Sequence, residues 1–357
     1  MKAVYFDGNE AQYRDDVPMP ERGIGESLLK INLSAVCTTD KEILKGYRPE
    51  FQGVMGHEFT AVVIESDGVD ANGETLVGKR VVGEINEVCH GCLYCKTGRE
   101  HHCINRRTPG LSRDGCFGEY MVLKNENLHV IPDELPDEIA IYTEPLAAAY
   151  EIMEQISFEP GTPTGVIGDG RLAYCVAQVL LQHGANVTVI GKHPEKLKLF
   201  KESVYAHDTS YSGAYDGCLP EMSIPSTEEM LNDNQCAVIK TELLDSVTMK
   251  VDGLEPYEIV VEATGSPFGL ELALNIVRSM GTIVLKSTYA GDSGVNLSLI
   301  PVREITVIGS RCGPFDKALA GLASGAIKLP PIELYRLEEY ESAFTSKAFK
   351  SGFRISE

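Results

Sequence analysis

Cys89, Cys92, Cys95 and Cys103 stand in a C-x2-C-x2-C-x7-C run, and this spacing restricts the surrounding chain to a loop that can wrap one metal ion. Four thiolates this close, with Gly91 and Gly98 to let the loop turn, can close tetrahedrally on zinc, leaving no open position for a substrate. The expected role is structural. Two-residue gaps strain most disulfides. A bacterial ferredoxin cluster would want its fourth cysteine where Arg99 stands, followed by proline, so an iron–sulfur cluster fits poorly. His90, His101 and His102 lie between or beside the cysteines and could replace one ligand, although exposed loop histidines are the plainer expectation.

The chain has 357 residues, beyond the roughly 250 to 300 at which a single core stops growing, so two domains are expected. A formal charge of −20 repels phosphate backbones and anionic bilayers, which argues against nucleic-acid and membrane partners. The opening MKAVYFDGNE reaches Asp7 before an apolar run can form, so neither a secretory segment nor a membrane span is expected. The expected compartment is the cytoplasm. There, ten cysteines mean metal ligands and buried thiols rather than a disulfide framework.

The first 140 or so residues are strand-rich: MKAVYF, SLLKINLSAV, TAVVIES, KRVVGEI and GEYMVLK run or alternate apolar between Gly, Asp and Asn turns. From Glu144 the texture changes to EPLAAAYEIMEQI, a helix pattern, and then to the strand, glycine turn, helix and strand rhythm of a parallel sheet. EIVVEATG and GTIVLKS read as buried strands flanking a helix over FGLELALNIVRSM, with Gly281 where a helix C-cap would stand. The stretch from about Glu202 to Glu255 is rich in Ser, Asp and Tyr, with only CAVIK and SVTMKV strand-like.

In VIGDGRLA, Gly168, Gly170 and Ala173 fill G-x-G-x-x-A, with Arg171 and Leu172 between them, after the strand TGVI and before the helix LAYCVAQVLLQ. The first glycine permits the tight turn, the second lets a pyrophosphate approach backbone, and the helix amino terminus offers unpaired N–H groups. A second strand, NVTVI, follows and ends at Gly191, where an NAD site would carry Asp or Glu for the ribose hydroxyls. Gly191 leaves room there, and Lys192 and His193 can donate to a 2′-phosphate, so NADP is favoured with NAD as the other possibility.

Cys37, His57 within Gly56-His57-Glu58, and Glu144 before Pro145 together supply the thiolate, imidazole and carboxylate of a catalytic zinc that keeps one position for water or substrate. Taken singly these are weak signals.

The order Cys37-x-Thr39-Asp40, Gly56-His57-Glu58, the four-cysteine lobe, Gly115-Cys116-Phe117-Gly118-Glu119-Tyr120, Glu144-Pro145 and GDGRLA resembles the zinc-dependent medium-chain alcohol dehydrogenase family over nearly the whole chain. The motifs are most similar to its polyol, threonine and glucose dehydrogenase branches. That resemblance implies an α/β architecture. Residues 1–145 would form a GroES-like, β-rich catalytic domain with the zinc lobe at about 86–106, completed by about 296–357; residues 146–295 would form the Rossmann domain. It implies Cys37 and His57 as catalytic-zinc ligands, with Glu144 as third ligand or holding its water, and Glu58 as the alternative. Asp40 would orient His57, and Thr39 would pass the substrate proton outward. The resemblance also implies a homodimer or homotetramer and a small alcohol, polyol or carbonyl substrate.

Glu42 stands where many family members have a relay histidine, and Thr38 where some have an arginine for the pyrophosphate; Arg354 is the candidate for that related role near the carboxy terminus. Leu44, Tyr47 and Phe51 are candidate pocket residues. Two other functions compete with a zinc- and NAD(P)-dependent alcohol dehydrogenase. One is a zinc- and nucleotide-binding protein without turnover, against which Cys37, His57, Thr39 and Asp40 speak. The other is a zinc-independent quinone or enone reductase of the superfamily, which would not need Cys37 and His57.

Overall fold

The computed structural model describes residues 1–202, 239–244, 257–288 and 294–356. Two compact units emerge, the first made of Met1–Tyr150, Cys312–Ala323 and Leu329–Glu357, the second of Glu151–Arg311 and Ser324–Lys328. The return to the first unit thus falls at Cys312, later than the 296 expected from sequence. Its cause is local: TVIG at Thr306–Gly309 is a sixth strand of the second unit's sheet.

In the first unit the strand Glu26–Ala35 is the hub. Its burial alternates along its first half and is continuous at its end, as expected of a strand that enters the core. It pairs with Glu58–Glu65, Tyr120–Lys124 and Lys350–Arg354. Ala35 lies opposite Glu58 on one side and Gly352 on the other. The beginning of one strand, the middle of another and the end of a third therefore meet at one place, two residues before Cys37. Beneath them, Phe117 packs edge-on against Phe353 with ring centroids 5.0 Å apart, in a core that includes Leu29, Ile31 and Met55.

Among the described residues, the second unit carries a six-stranded sheet in the order Lys240–Leu243, Asn186–Gly191, Pro163–Ile167, Tyr257–Glu262, Val277–Leu285, Thr306–Gly309. Every neighbouring pair is parallel. In sequence order of strands this is 3-2-1-4-5-6, the doubly wound Rossmann arrangement, whose ligands bind beyond the carboxyl ends of the strands where the order reverses. The helix Arg171–Gln182 follows the first strand and is buried along most of its length, from Ala173 to Leu181.

One helix end differs from expectation. The helix begun at Phe268 stops at Ile276, and Val277–Leu285 is a single strand with an irregularity in its pairing between Tyr257 and Ile259. Gly281 is not a helix C-cap: a Cβ there would come within 2.7 Å of Glu258 O, so glycine is needed for the close approach of two strands. Of the stretch 202–255, only 202 and 239–244 are among the described residues; SVTMKV lies outside them, as does CAVIK before Ile239. Among the described residues no helix is long and apolar enough to cross a membrane.

Candidate active site

Cys37 directly precedes the short helix Thr38–Ile43 as its N-cap, and its N–H donates to Asp40 Oδ2 at 2.7 Å. That bond fixes a fully buried carboxylate under the loop, and Asp40 Oδ1 then lies 3.3 Å from His57 Nδ1. The approach is close enough for electrostatic attraction, but neither atom has an aligned hydrogen bond. His57 is held by its neighbours: Gly56 has φ +91° and a Cβ there would sit 2.2 Å from the Phe117 ring. Only glycine serves where the backbone is left-handed and an aromatic ring lies against it. The segment of Gly115 to Phe117 clamps this turn, with Cys116 N–H donating to Gly56 O at 3.0 Å and Phe117 N–H to Met55 O at 2.8 Å.

Ligand atoms of Cys37, His57 and Glu58 all lie within 4.8 Å of one another. A thiolate, an imidazole and a carboxylate at this spacing match the donor set of a catalytic zinc, and Asp40 stands behind the imidazole as carboxylates do behind metal-bound histidines. Burial disfavours charge on His57, yet Asp40 and Cys37 outweigh it and raise its pKa well above the ordinary value. Glu144 is not in this group; it is half-buried in the first turn of the helix Thr143–Gln155. Thr39 is half-buried, with its Oγ1 3.8 Å from Cys37 Sγ. Glu42 is turned outward to Lys45 at 2.8 Å. Phe51 belongs to the core, stacked on Phe6 and 3% exposed, whereas Leu44 and Tyr47 are exposed.

Sequence reasoning missed Lys350. Its ammonium pairs with Glu58 in a site where both side chains are at most 2% exposed, and it lies 5.1 Å from the centre of the Tyr142 ring. Arg354, the candidate carboxy-terminal cation, pairs with Glu138 at 2.6 Å on the surface. A buried pair that loses one partner leaves an uncompensated charge, so Lys350→Met should destabilise the protein by about 3–5 kcal/mol in chemical denaturation. Adding Glu58→Gln should restore part of that loss. Equal stability of Lys350→Met and the parent would show that the pair is not formed.

In the lobe, Sγ atoms of Cys89, Cys92, Cys95 and Cys103 also lie within 4.8 Å of one another, with Cys92 and Cys95 at 3.5 Å. Tetrahedral zinc with bonds of about 2.3 Å requires sulfur separations of about 3.8 Å, so the four fit one ion. Cys95 and Cys103 are buried against Val88. Hydrogen bonds led by the Gly91 N–H bring the Cys89 thiol down to about 6, while burial pushes Cys95 up to about 12. The three histidines are turned elsewhere: His90 Nε2 meets Glu126 at 2.8 Å, and the His101 and His102 rings lie against each other at 4.4 Å.

At the expected nucleotide turn, Gly168 has φ +125° and a Cβ there would meet Ala263 O at 2.6 Å. Gly170 caps the helix Arg171–Gln182 and has nothing within 4 Å of its Cβ position. The tight turn and the open helix amino terminus are the cradle a pyrophosphate needs. Arg171 and Leu172 begin the helix half-buried, and Ala173 is fully buried beneath it. Gly191 does not face open space. Asp169 occupies it: a Cβ on Gly191 would lie 2.7 Å from Asp169 Cβ and 2.9 Å from its Oδ2. Lys192 and His193 follow, both exposed, with their N–H groups donating to Asp169.

Residues 23–133 match the alcohol dehydrogenase GroES-like domain, which with the Rossmann sheet defines a two-domain α/β fold. The chain is 26% identical to D-arabinitol dehydrogenase 1 of Uromyces fabae, covering 100% of this chain and 96% of that one. It is 27% identical to sorbitol dehydrogenase of Halalkalibacterium halodurans, over 95% of this chain and 92% of that one. Among solved structures, a zinc-binding dehydrogenase from Sinorhizobium meliloti 1021, bound to NADP, superposes with a TM-score of 0.79 at 22% identity over 99% and 98% of the two chains. Over nearly its whole length the chain is thus similar to alcohol and polyol dehydrogenases, and residues 23–133 belong to their GroES-like domain family.

Proposed function

We propose that this protein is a zinc-dependent dehydrogenase that moves a hydride between a small alcohol or polyol, or the matching carbonyl compound, and a nicotinamide dinucleotide. The observation that carries this reading is the convergence of Cys37, His57 and Glu58 within reach of one ion, with Asp40 behind His57. Polyol substrates of relatives that match this chain nearly end to end support the substrate class. A second zinc, held by Cys89, Cys92, Cys95 and Cys103, would be structural.

Bound at Cys37, His57 and Glu58, zinc would act as a Lewis acid on the substrate oxygen. The chain's own residues do the rest. Asp40, 3.3 Å behind the His57 ring, would favour the tautomer with its proton on Nδ1, leaving Nε2 for the metal. Lys350 offsets the buried charge of Glu58. Thr39, whose hydroxyl can donate and accept at once, takes the proton of the substrate hydroxyl and passes it outward. Gly168 and Gly170 bring the pyrophosphate to the helix amino terminus. The preference for NADP inferred from Gly191 is not carried into this reading, because a carboxylate fills the space that argument left open. A cytoplasmic homodimer or homotetramer completes the proposal.

The test is a panel of alcohols, polyols and aldehydes assayed with both nicotinamide dinucleotides, before and after metal removal. Metal-dependent turnover of at least one alcohol is expected. Turnover of enones or quinones that survives metal removal would favour the zinc-independent alternative. Thr39→Val keeps the shape of the side chain and removes the hydroxyl, so turnover should fall by about 10²-fold or more where chemistry limits the rate. Unchanged turnover would exclude Thr39 from the proton path.

A further inference from the structure

We propose that Asp169, in the glycine-rich turn, reads the adenosine ribose of the dinucleotide through its Oδ1 atom and thereby selects NAD over NADP. This rests on the reading that the turn at 168–173 holds a dinucleotide. In a Rossmann site the acid that grips the ribose hydroxyls ordinarily stands at the end of the second strand. Here that strand ends at Gly191, and the acid comes instead from the neighbouring turn. Gly168 N–H donates to Ile190 O at 2.8 Å, which draws the turn against the strand end and carries the next residue, Asp169, over Gly191. With a Cβ on Gly191 only 2.7 Å from Asp169 Cβ, glycine at 191 is the condition for Asp169 to be there. It does not signal room for a phosphate.

The two carboxylate oxygens are used differently. Oδ2 accepts three bonds, from Lys192 N–H at 2.7 Å, His193 N–H at 2.9 Å and His193 Nδ1 at 2.9 Å. Oδ1 has only Lys196 Nζ, at 3.8 Å, among the described residues. The side chain is 11% exposed, so one oxygen is fixed and the other retains room for a ligand hydroxyl. Although burial works against its charge, the bonds from His193 and Lys192 hold the carboxyl below its usual range, so it accepts and does not donate at neutral pH. A ribose hydroxyl can donate to it. A 2′-phosphate would meet like charge, and would find the two backbone donors and His193 Nδ1 already engaged. Of the groups that suggested NADP, the exposed Lys192 side chain and the Nε2 face of the His193 ring stay available, and both lie beside the Asp169 charge.

The experiment measures binding of ADP-ribose and of 2′-phospho-ADP-ribose to the full chain by calorimetry, alongside kcat/KM for NAD and NADP, in the parent, Asp169→Asn and Asp169→Ala. The parent should bind ADP-ribose more tightly than its 2′-phosphorylated form. Asp169→Asn keeps the shape and a neutral acceptor for the loop, and should shift the ratio of the two affinities toward the phosphorylated ligand by roughly 10- to 100-fold, the scale of one charge-assisted hydrogen bond. The kcat/KM ratio should move with it. A parent that prefers the phosphorylated ligand, or an Asp169→Asn variant that loses both ligands equally, would overturn the proposal and leave Asp169 as a support for its loop. If the parent binds neither ligand, the dinucleotide reading itself fails, and this proposal with it.

Discussion

Replacing His57 by Ala is expected to lower turnover by about 10³-fold or more while the protein stays folded. A Lewis acid contributes several kcal/mol at the reacting oxygen, and each 1.36 kcal/mol is tenfold in rate. His57 is 4% exposed, so the truncation leaves a small cavity, but the Phe117 and Phe353 core beneath it is untouched. The fold should report this through an unfolding transition shifted by a few degrees at most, with turnover measured at saturating alcohol and both nicotinamide dinucleotides. Normal turnover in His57→Ala would show that catalysis does not pass through this cluster.

Replacing Cys95 by Ser should have the opposite profile, a loss of stability with turnover largely retained at low temperature. Cys95 is buried, packs with Val88 and Cys103, and is one of four thiols within reach of one ion. A closed metal site contributes folding energy outright, and serine is a poor fourth ligand for zinc. A loss of about 3 kcal/mol would lower Tm by roughly 6–12 °C for a unit of this size. Thermal unfolding with and without a chelator checks it. A variant with the parent's Tm, in a protein whose Tm the chelator does not move, would remove the structural role from this lobe.

What could be read from the chain beforehand was what is local along it. The four cysteines, the C-x-T-D turn and the G-x-G-x-x-A turn each fall within a few residues, so spacing alone suggests their geometry. The strands of the first unit were visible because alternation along Glu26–Ala35 and its neighbours follows directly from one buried face. Contacts between distant positions were not visible. Lys350 and Glu58 are 292 positions apart, and nothing in KSGFR marks its first residue as the buried partner of an acid. Asp169 was in plain view inside the turn, but that it fills the space beside Gly191 depends on where the neighbouring strand ends, which spacing along the chain does not give. Gly281 misled for a similar reason: glycine after a helical run suggests a cap, whereas here a second strand passes too close for a side chain. Third-ligand choice had the same limit. The chain pointed first to Glu144, with Glu58 as the alternative, and the pairing of Ala35 with Glu58 that brings Glu58 beside Cys37 is not legible along it.

The central claim, that Cys37 and His57 hold a metal distinct from the one in the cysteine lobe, is tested most directly by zinc content per chain in the parent, His57→Ala and Cys95→Ser, measured after dialysis into metal-free buffer. About two zinc ions are predicted for the parent, and about one for His57→Ala, which should retain the lobe's ion and the parent's thermal stability within a few degrees. A parent with about one zinc that His57→Ala leaves unchanged would contradict the account.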